Sequence, residues 1–216
     1  MQLTILIIKR HFHWILLGGI YIVTILLWAL TLPRDLNSIS IYQFFPILGI
    51  LAWTTMWAQY VATTAVAYGA TRNPQFARWT GHIVLLLIIL HPSIFLVQRF
   101  LDTGLLPPES YTTYVGPFHT WAVAIAIAAL AVFLSYGIFR RFRRTLLDRR
   151  IWPYVGVLQA SAMVAIFIHG LVIGTSMDGG FFAIWWWLLG IALVPCLVLQ
   201  VVRGFNALPH KKDTTD

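Results

Sequence analysis

Six separate stretches of this chain are long and apolar enough to cross a lipid bilayer: approximately residues 12–32, 42–68, 80–98, 117–139, 152–175 and 181–203. A helix rises about 1.5 Å per residue and the hydrocarbon core is roughly 30 Å thick, so one crossing takes about 20 residues. Residues 83–90 and 122–134 are apolar on every side, whereas strands of a membrane barrel alternate apolar and polar positions in short segments. The expected fold is therefore all-α, an integral membrane bundle of six transmembrane helices. Composition agrees, since 59% of residues are hydrophobic and only 10% are charged, too few to cover a water-soluble surface of this size.

The first stretch opens on His11, Phe12, His13 and Trp14, and no small-residue cleavage site follows before Pro33. A retained helix is expected rather than a cleaved leader. Residues 1–206 then form a single membrane domain and 207–216 a polar tail, expected to be disordered. The single cysteine, Cys196, lies within the last stretch, so neither a disulfide framework nor a thiolate cage is available. It is expected to be a small buried residue.

A net charge of +8 raises nucleic acid as a partner, but the position of the cations points to a membrane instead. On a six-helix topology, Lys9, Arg10, Arg72, Arg78, Arg140, Arg141, Arg143, Arg144, Arg149, Arg150, Arg203, Lys211 and Lys212 fall on one side, and only Arg34 and Arg99 on the other. Positive charge in short loops stays cytoplasmic, so both termini are expected in the cytoplasm of a multi-pass cell-membrane protein. The cluster at 140–150 reads as a topology signal in contact with anionic lipid; the alternative is a docking surface for an acidic cytoplasmic electron donor. Trp14, Trp28, Trp79, Trp121, Trp152 and Trp185 to Trp187 fall near the expected helix ends, as interfacial anchors do.

Ionisable groups within a membrane are expensive, so each raises a functional question. No Lys, Asp or Glu lies within an apolar stretch, which removes a retinal Schiff base and argues against a proton pump or cation transporter. Histidine remains. His91, in LLLIILHPS, and His169, in AMVAIFIHGL, lie on the third and fifth stretches. These run in the same direction and bring both imidazoles to similar depth. Two such neutral imidazoles facing one another form a natural axial pair for haem iron in a helix bundle. The plainer alternative is that each only bonds between helices.

ARWTGHIVLLLIILHP resembles the third helix of the ferric reductase-like transmembrane domain family, in which Arg, then Gly three residues later, precede an apolar run ending in Leu-His. Arg78, Gly81 and His91 fill those places. RRFRRTLLDRRIWPYVGVLQASAMVAIFIHGLVIGTSMD resembles the family's basic loop, Trp-led fifth helix, His-Gly and following turn, through Arg143, Trp152, His169, Gly170, Gly174, Thr175 and Asp178. The likeness covers about residues 40–205. It implies a b-type haem subunit of the kind found in NADPH oxidases, ferric reductases and the membrane partners of methionine sulfoxide reductases. In that family two stacked haems usually take one histidine from each end of these two helices. This chain has Arg78 and Gly156 where the inner pair would stand, so the resemblance implies one haem, as in the six-helix metalloreductases.

A second haem would need another route, from His82 to His13 or His11, with Gln159 a weaker partner. At the outer side His119 and Arg99 are candidates to neutralise haem propionates or to hold an acceptor, or they are ordinary interfacial polarity. The outer loops, 34–41 and 102–116, are too short for a substrate domain. No GxGxxG follows a strand and no soluble segment could hold flavin or nicotinamide. The expected function is thus transmembrane electron transfer through haem b, from a cytoplasmic flavin reductase or membrane quinol to an exterior acceptor. The competing class is a non-redox transporter subunit or scaffold with structural histidines.

Reporter fusions test the orientation. Fusions after Arg144 and after Lys212 are expected to read cytoplasmic, and one after Thr103 exterior. A C-terminus on the exterior would contradict six crossings.

Overall fold

The structure, a computed structural model, describes residues 2–33, 35, 40–146, 151–174, 177 and 179–207, with side chains from His11 onward except over 138–146. Within these residues the chain is all α-helix: α1 (Gln2–Ala29), α2 (Ile41–Ala67), α3 (Pro74–Thr103), α4 (Glu109–Val115), α5 (Thr120–Leu146), α6 (Trp152–Ile173) and α7 (Gly180–Asn206), with a 3₁₀ turn at Pro117–His119 before α5. All but α4 contain a segment long and apolar enough to cross a membrane. The protein is a six-helix, multi-pass membrane bundle.

Two helix assignments depart from the sequence reading. α3 is longer than the expected 80–98, because its ends are set by capping and not by hydropathy. Asn73 accepts the Phe76 N–H through its side chain at 3.0 Å, Pro74 opens the helix, and Gly104 closes it in the left-handed conformation (φ 69°), the usual glycine C-cap. The second is α4, a two-turn helix in what reads as a plain loop. The side chains of Lys9, Arg10 and the arginines at 140–150 lie outside the described residues, as do Arg34, Thr175, Asp178 and everything after Ala207.

Backbone polar groups in a bilayer must be satisfied within the helix, and side-chain hydroxyls follow the same rule. Thr54, Thr55, Thr63 and Thr80 each donate to a carbonyl one turn back on their own helix. Polar ties between helices converge on α2. Trp53 Nε1 donates to Met163 O of α6 at 3.2 Å, Trp57 Nε1 to Leu189 O of α7 at 2.8 Å, and Gln200 Nε2 of α7 to Tyr60 O at 3.1 Å. The Tyr21 hydroxyl of α1 pairs with Thr55. α2 is accordingly the central post, packed on α1, α3, α6 and α7.

The best-packed region is aromatic. Trp53 and Trp186 lie with ring centroids 4.4 Å apart, and Phe167 stacks on Trp186 at 5.7 Å and 8°. Trp186 is 2% exposed, so it is a core residue and not the interfacial anchor expected from its position near a helix start. Trp28 is also buried, while Trp79, Trp121 and Trp187 are exposed. Cys196 is buried. Ile22, Leu26, Leu86, Val97, Ile191 and Val198 are among the large apolar side chains left on the outer surface, the surface that meets lipid.

A Cβ at Gly190 would collide with the Phe167 ring, so α6 and α7 approach only because that residue is glycine. Gly190→Ala is expected to destabilise the protein by about 1–3 kcal/mol, the usual penalty for overpacking. Gly204→Ala, whose methyl would meet Pro153 Cα at an ordinary 3.6 Å, is the tolerated control. Thermal unfolding in detergent is the check.

Candidate functional site

The helices sort into two close pairs, α2 with α3 and α5 with α6, and α3 hardly touches α5 or α6. A cavity of about 200 Å³ occupies the space between the pairs. One water needs roughly 10–15 Å³ on the same measure, so this is room for a bulky group. Its walls are almost wholly apolar, with Phe45, Ile50, Trp53, Val123, Leu130 and Trp186 among them. His91 and His169 also line it.

Each imidazole stands at the eighteenth position of its helix, counting from Pro74 in α3 and from Trp152 in α6. Equal depth on helices that run the same way is what brings them to one cavity. His91 Nδ1 lies 2.9 Å from Phe45 O of α2, and His169 Nδ1 lies 3.0 Å from Ala122 O of α5. A carbonyl can only accept, so both rings must carry their proton on Nδ1. Nε2 of each is then unprotonated, and it has no hydrogen-bond partner among the described residues. A neutral ring with Nδ1–H fixed on a backbone carbonyl and a bare Nε2 is in the form required of a metal ligand.

α4 borders one end of the cavity. Tyr111, Tyr114 and Val115 form part of the lining. Tyr111 stacks on Phe95 at 5.6 Å and 6°, and Tyr114 on Tyr42 at 5.6 Å and 25°. Arg99 holds α4 from below, with Nη2 donating to Thr113 Oγ1 at 2.9 Å and its guanidinium 5.7 Å from the Tyr114 ring. Its Nε is buried without a partner among the described residues. That leaves one donor over for an anionic group. α4 is flanked by Gly104 and Gly116, both at positive φ (69° and 76°), which lets the chain turn sharply at each end.

The other candidate residues lie apart from the cavity. His119 is exposed, and its Nδ1 is 3.1 Å from Val115 O one turn back. Arg78 is exposed near the start of α3. His82 is exposed with its ring 6.3 Å from Trp79, and His11 is exposed. His13 is buried, its ring 5.3 Å from Phe76. His13 Nδ1 is buried without a hydrogen-bond partner among the described residues.

The chain matches no family model, no curated protein and no solved structure. Function must therefore be read from the two imidazoles and what surrounds them. Reasoning from sequence missed the two acceptor carbonyls, Gly49 beside His91, and the tyrosines of α4. The only available signals were the three-residue spacing of Tyr111 and Tyr114 after Pro107 and Pro108, and a glycine set within PILGIL.

Burial raises the pKa of Tyr111; burial also raises that of Tyr114, against the lowering pull of Arg99. A phenol whose folded pKa is raised supports the fold fully below its unfolded pKa, and that support is lost as pH rises through the folded value. Both phenols are therefore expected to stay neutral to higher pH in the native protein than after denaturation. Arg99→Gln should raise the Tyr114 midpoint further and leave Tyr111 unmoved. Tyrosine ¹³Cζ NMR titration reads both.

Proposed function

We propose that this chain is the membrane subunit of an electron relay and holds a single b-type haem between His91 and His169. The observation that carries the reading is the tethering of both imidazoles to backbone carbonyls, which leaves two bare Nε2 atoms on one apolar cavity. The likeness of the stretches around Arg78, Gly81, His91 and His169 to the ferric reductase-like domain points the same way.

Haem bound there would supply a one-electron carrier. The protein's own part is to hold the two ligands. His91 and His169 would hold the group, and the Phe45 and Ala122 carbonyls fix their tautomer and raise their basicity. The apolar walls exclude water, and the unpartnered Nε of Arg99 would be free to donate to an anionic group of the cofactor. His119 stands on that same side, where an acceptor would arrive. With thirteen of fifteen Lys and Arg residues on one side of the topology, the termini are cytoplasmic and α4 faces the exterior. The donor is a cytoplasmic flavin reductase or membrane quinol, because no stretch of this chain is suited to flavin or nicotinamide.

Purified protein expressed with ample haem is expected to show a low-spin b-type spectrum and one haem per chain by pyridine haemochrome. His91→Ala and His169→Ala should each abolish the low-spin signal while the protein stays monodisperse, since a small residue is tolerated at helix contacts in membranes. His82→Ala should leave it unchanged. Colourless wild-type protein would favour a non-redox scaffold, and two haems with selective loss of one in His82→Ala would contradict the single-haem reading.

A further inference from the structure

Gly49 lies on α2 one helical turn beyond Phe45, whose carbonyl holds His91. A Cβ built at Gly49 would stand 3.0 Å from His91 Cε1, 3.1 Å from Nδ1 and 3.3 Å from Nε2, and these are its three nearest atoms. Near-equal distances to three ring atoms mean that the imidazole lies face-on over the bare α-carbon. Real Cβ contacts are seldom so short, so a methyl group here would push the ring.

The ring has little freedom to yield. Its Nδ1 is bonded to Phe45 O at 2.9 Å, and the ring lies 5.2 Å from the Phe45 ring, tilted at 39° to it. A shift of a few tenths of an ångström takes that bond to the limit of good N–H···O geometry, about 3.2 Å. His169 is seated differently. One turn beyond its own acceptor, Ala122, stands Ala126, which lines the cavity. At the corresponding place, one turn past the acceptor, α5 carries a methyl group where α2 carries none.

We propose that Gly49 is the positioning residue for His91: the absence of its side chain lets the imidazole lie against α2, bond to Phe45 O and keep Nε2 bare toward the cavity. The role rests on reading His91 as a haem ligand. Gly49 itself touches no ligand and acts only through the ring. Glycine inside a helix is otherwise a liability that alanine relieves, so a purely local backbone role would make Gly49→Ala neutral or favourable.

The test uses the full chain in detergent. Side-chain ¹⁵N NMR of the haem-free protein is expected to report Nδ1–H and bare Nε2 at both histidines in wild type. In Gly49→Ala, His91 alone should lose that pattern, and haem affinity should fall by about tenfold or more, the usual effect of disturbing a ligand's hydrogen-bonded support. Gly18→Ala, whose methyl would meet nothing within 4 Å, should match wild type. If Gly49→Ala does not fold, Gly49→Ala with His91→Ala decides the matter: with the ring gone the methyl has room, so the double variant should be as stable as His91→Ala alone. A double variant that also fails, an unchanged His91 in Gly49→Ala, or an Nε2–H tautomer at His91 in wild type overturns the proposal. Loss of the His91 pattern in Gly49→Ala, in a protein whose wild type takes up no haem, upholds the positioning role and overturns only the haem reading.

Discussion

An imidazole N–H set inside a lipid-bounded bundle has no water to donate to, and leaving a buried donor unpaired costs on the order of 1–3 kcal/mol. His91 and His169 meet this constraint in the same way, each by donating Nδ1–H to a main-chain carbonyl of the adjacent helix in its pair. The bond serves more than the histidine. It chooses the tautomer, fixes the ring against its helix pair, and leaves Nε2 as the free nitrogen. Everything chemical that the bundle can do at this depth follows from that choice, since among the described residues the other cavity walls are nearly all carbon.

The space between the two imidazoles depends in turn on packing elsewhere. α2 is tied to α6 and α7 by indole N–H bonds from Trp53 and Trp57, and Trp53 and Trp186, packed on Phe167, line one part of the cavity. Glycine sets the distances. Gly170 leaves room for Trp186, Gly190 for Phe167, and Gly49 for His91 itself. With α6 drawn onto α7 and α2 by these contacts, α3 and α5 remain apart. At the α4 end the Tyr111 and Tyr114 rings, held by Phe95, Tyr42 and Arg99, form part of the wall.

The crossings were legible in the sequence because hydropathy over 20 residues is a strong signal and the bilayer leaves few ways to satisfy it. The ends were less so. α3 continues through Arg78 at one end and Arg99 and Asp102 at the other, where polar side chains silence a hydropathy window while capping keeps the helix intact. α4 is too short and too polar to register at all. The histidine pair was legible because imidazole is conspicuous in LLLIILHPS and AMVAIFIHGL. Its acceptors were not, since a backbone carbonyl carries no letter of its own. Gly49 was hidden differently, as one glycine among fifteen whose meaning depends on a ring brought from another helix. Trp186 was misread as an anchor because its place near a helix start resembles an interface, and only tertiary packing puts it in the core.

Anomalous scattering at the iron edge, from crystals of the protein purified with its native cofactor, tests the central claim most directly. A single peak between His91 Nε2 and His169 Nε2, in the space separating α3 from α6, is the expected result. An iron peak beside His82 and His13, or none in protein shown to be fully folded, would contradict it.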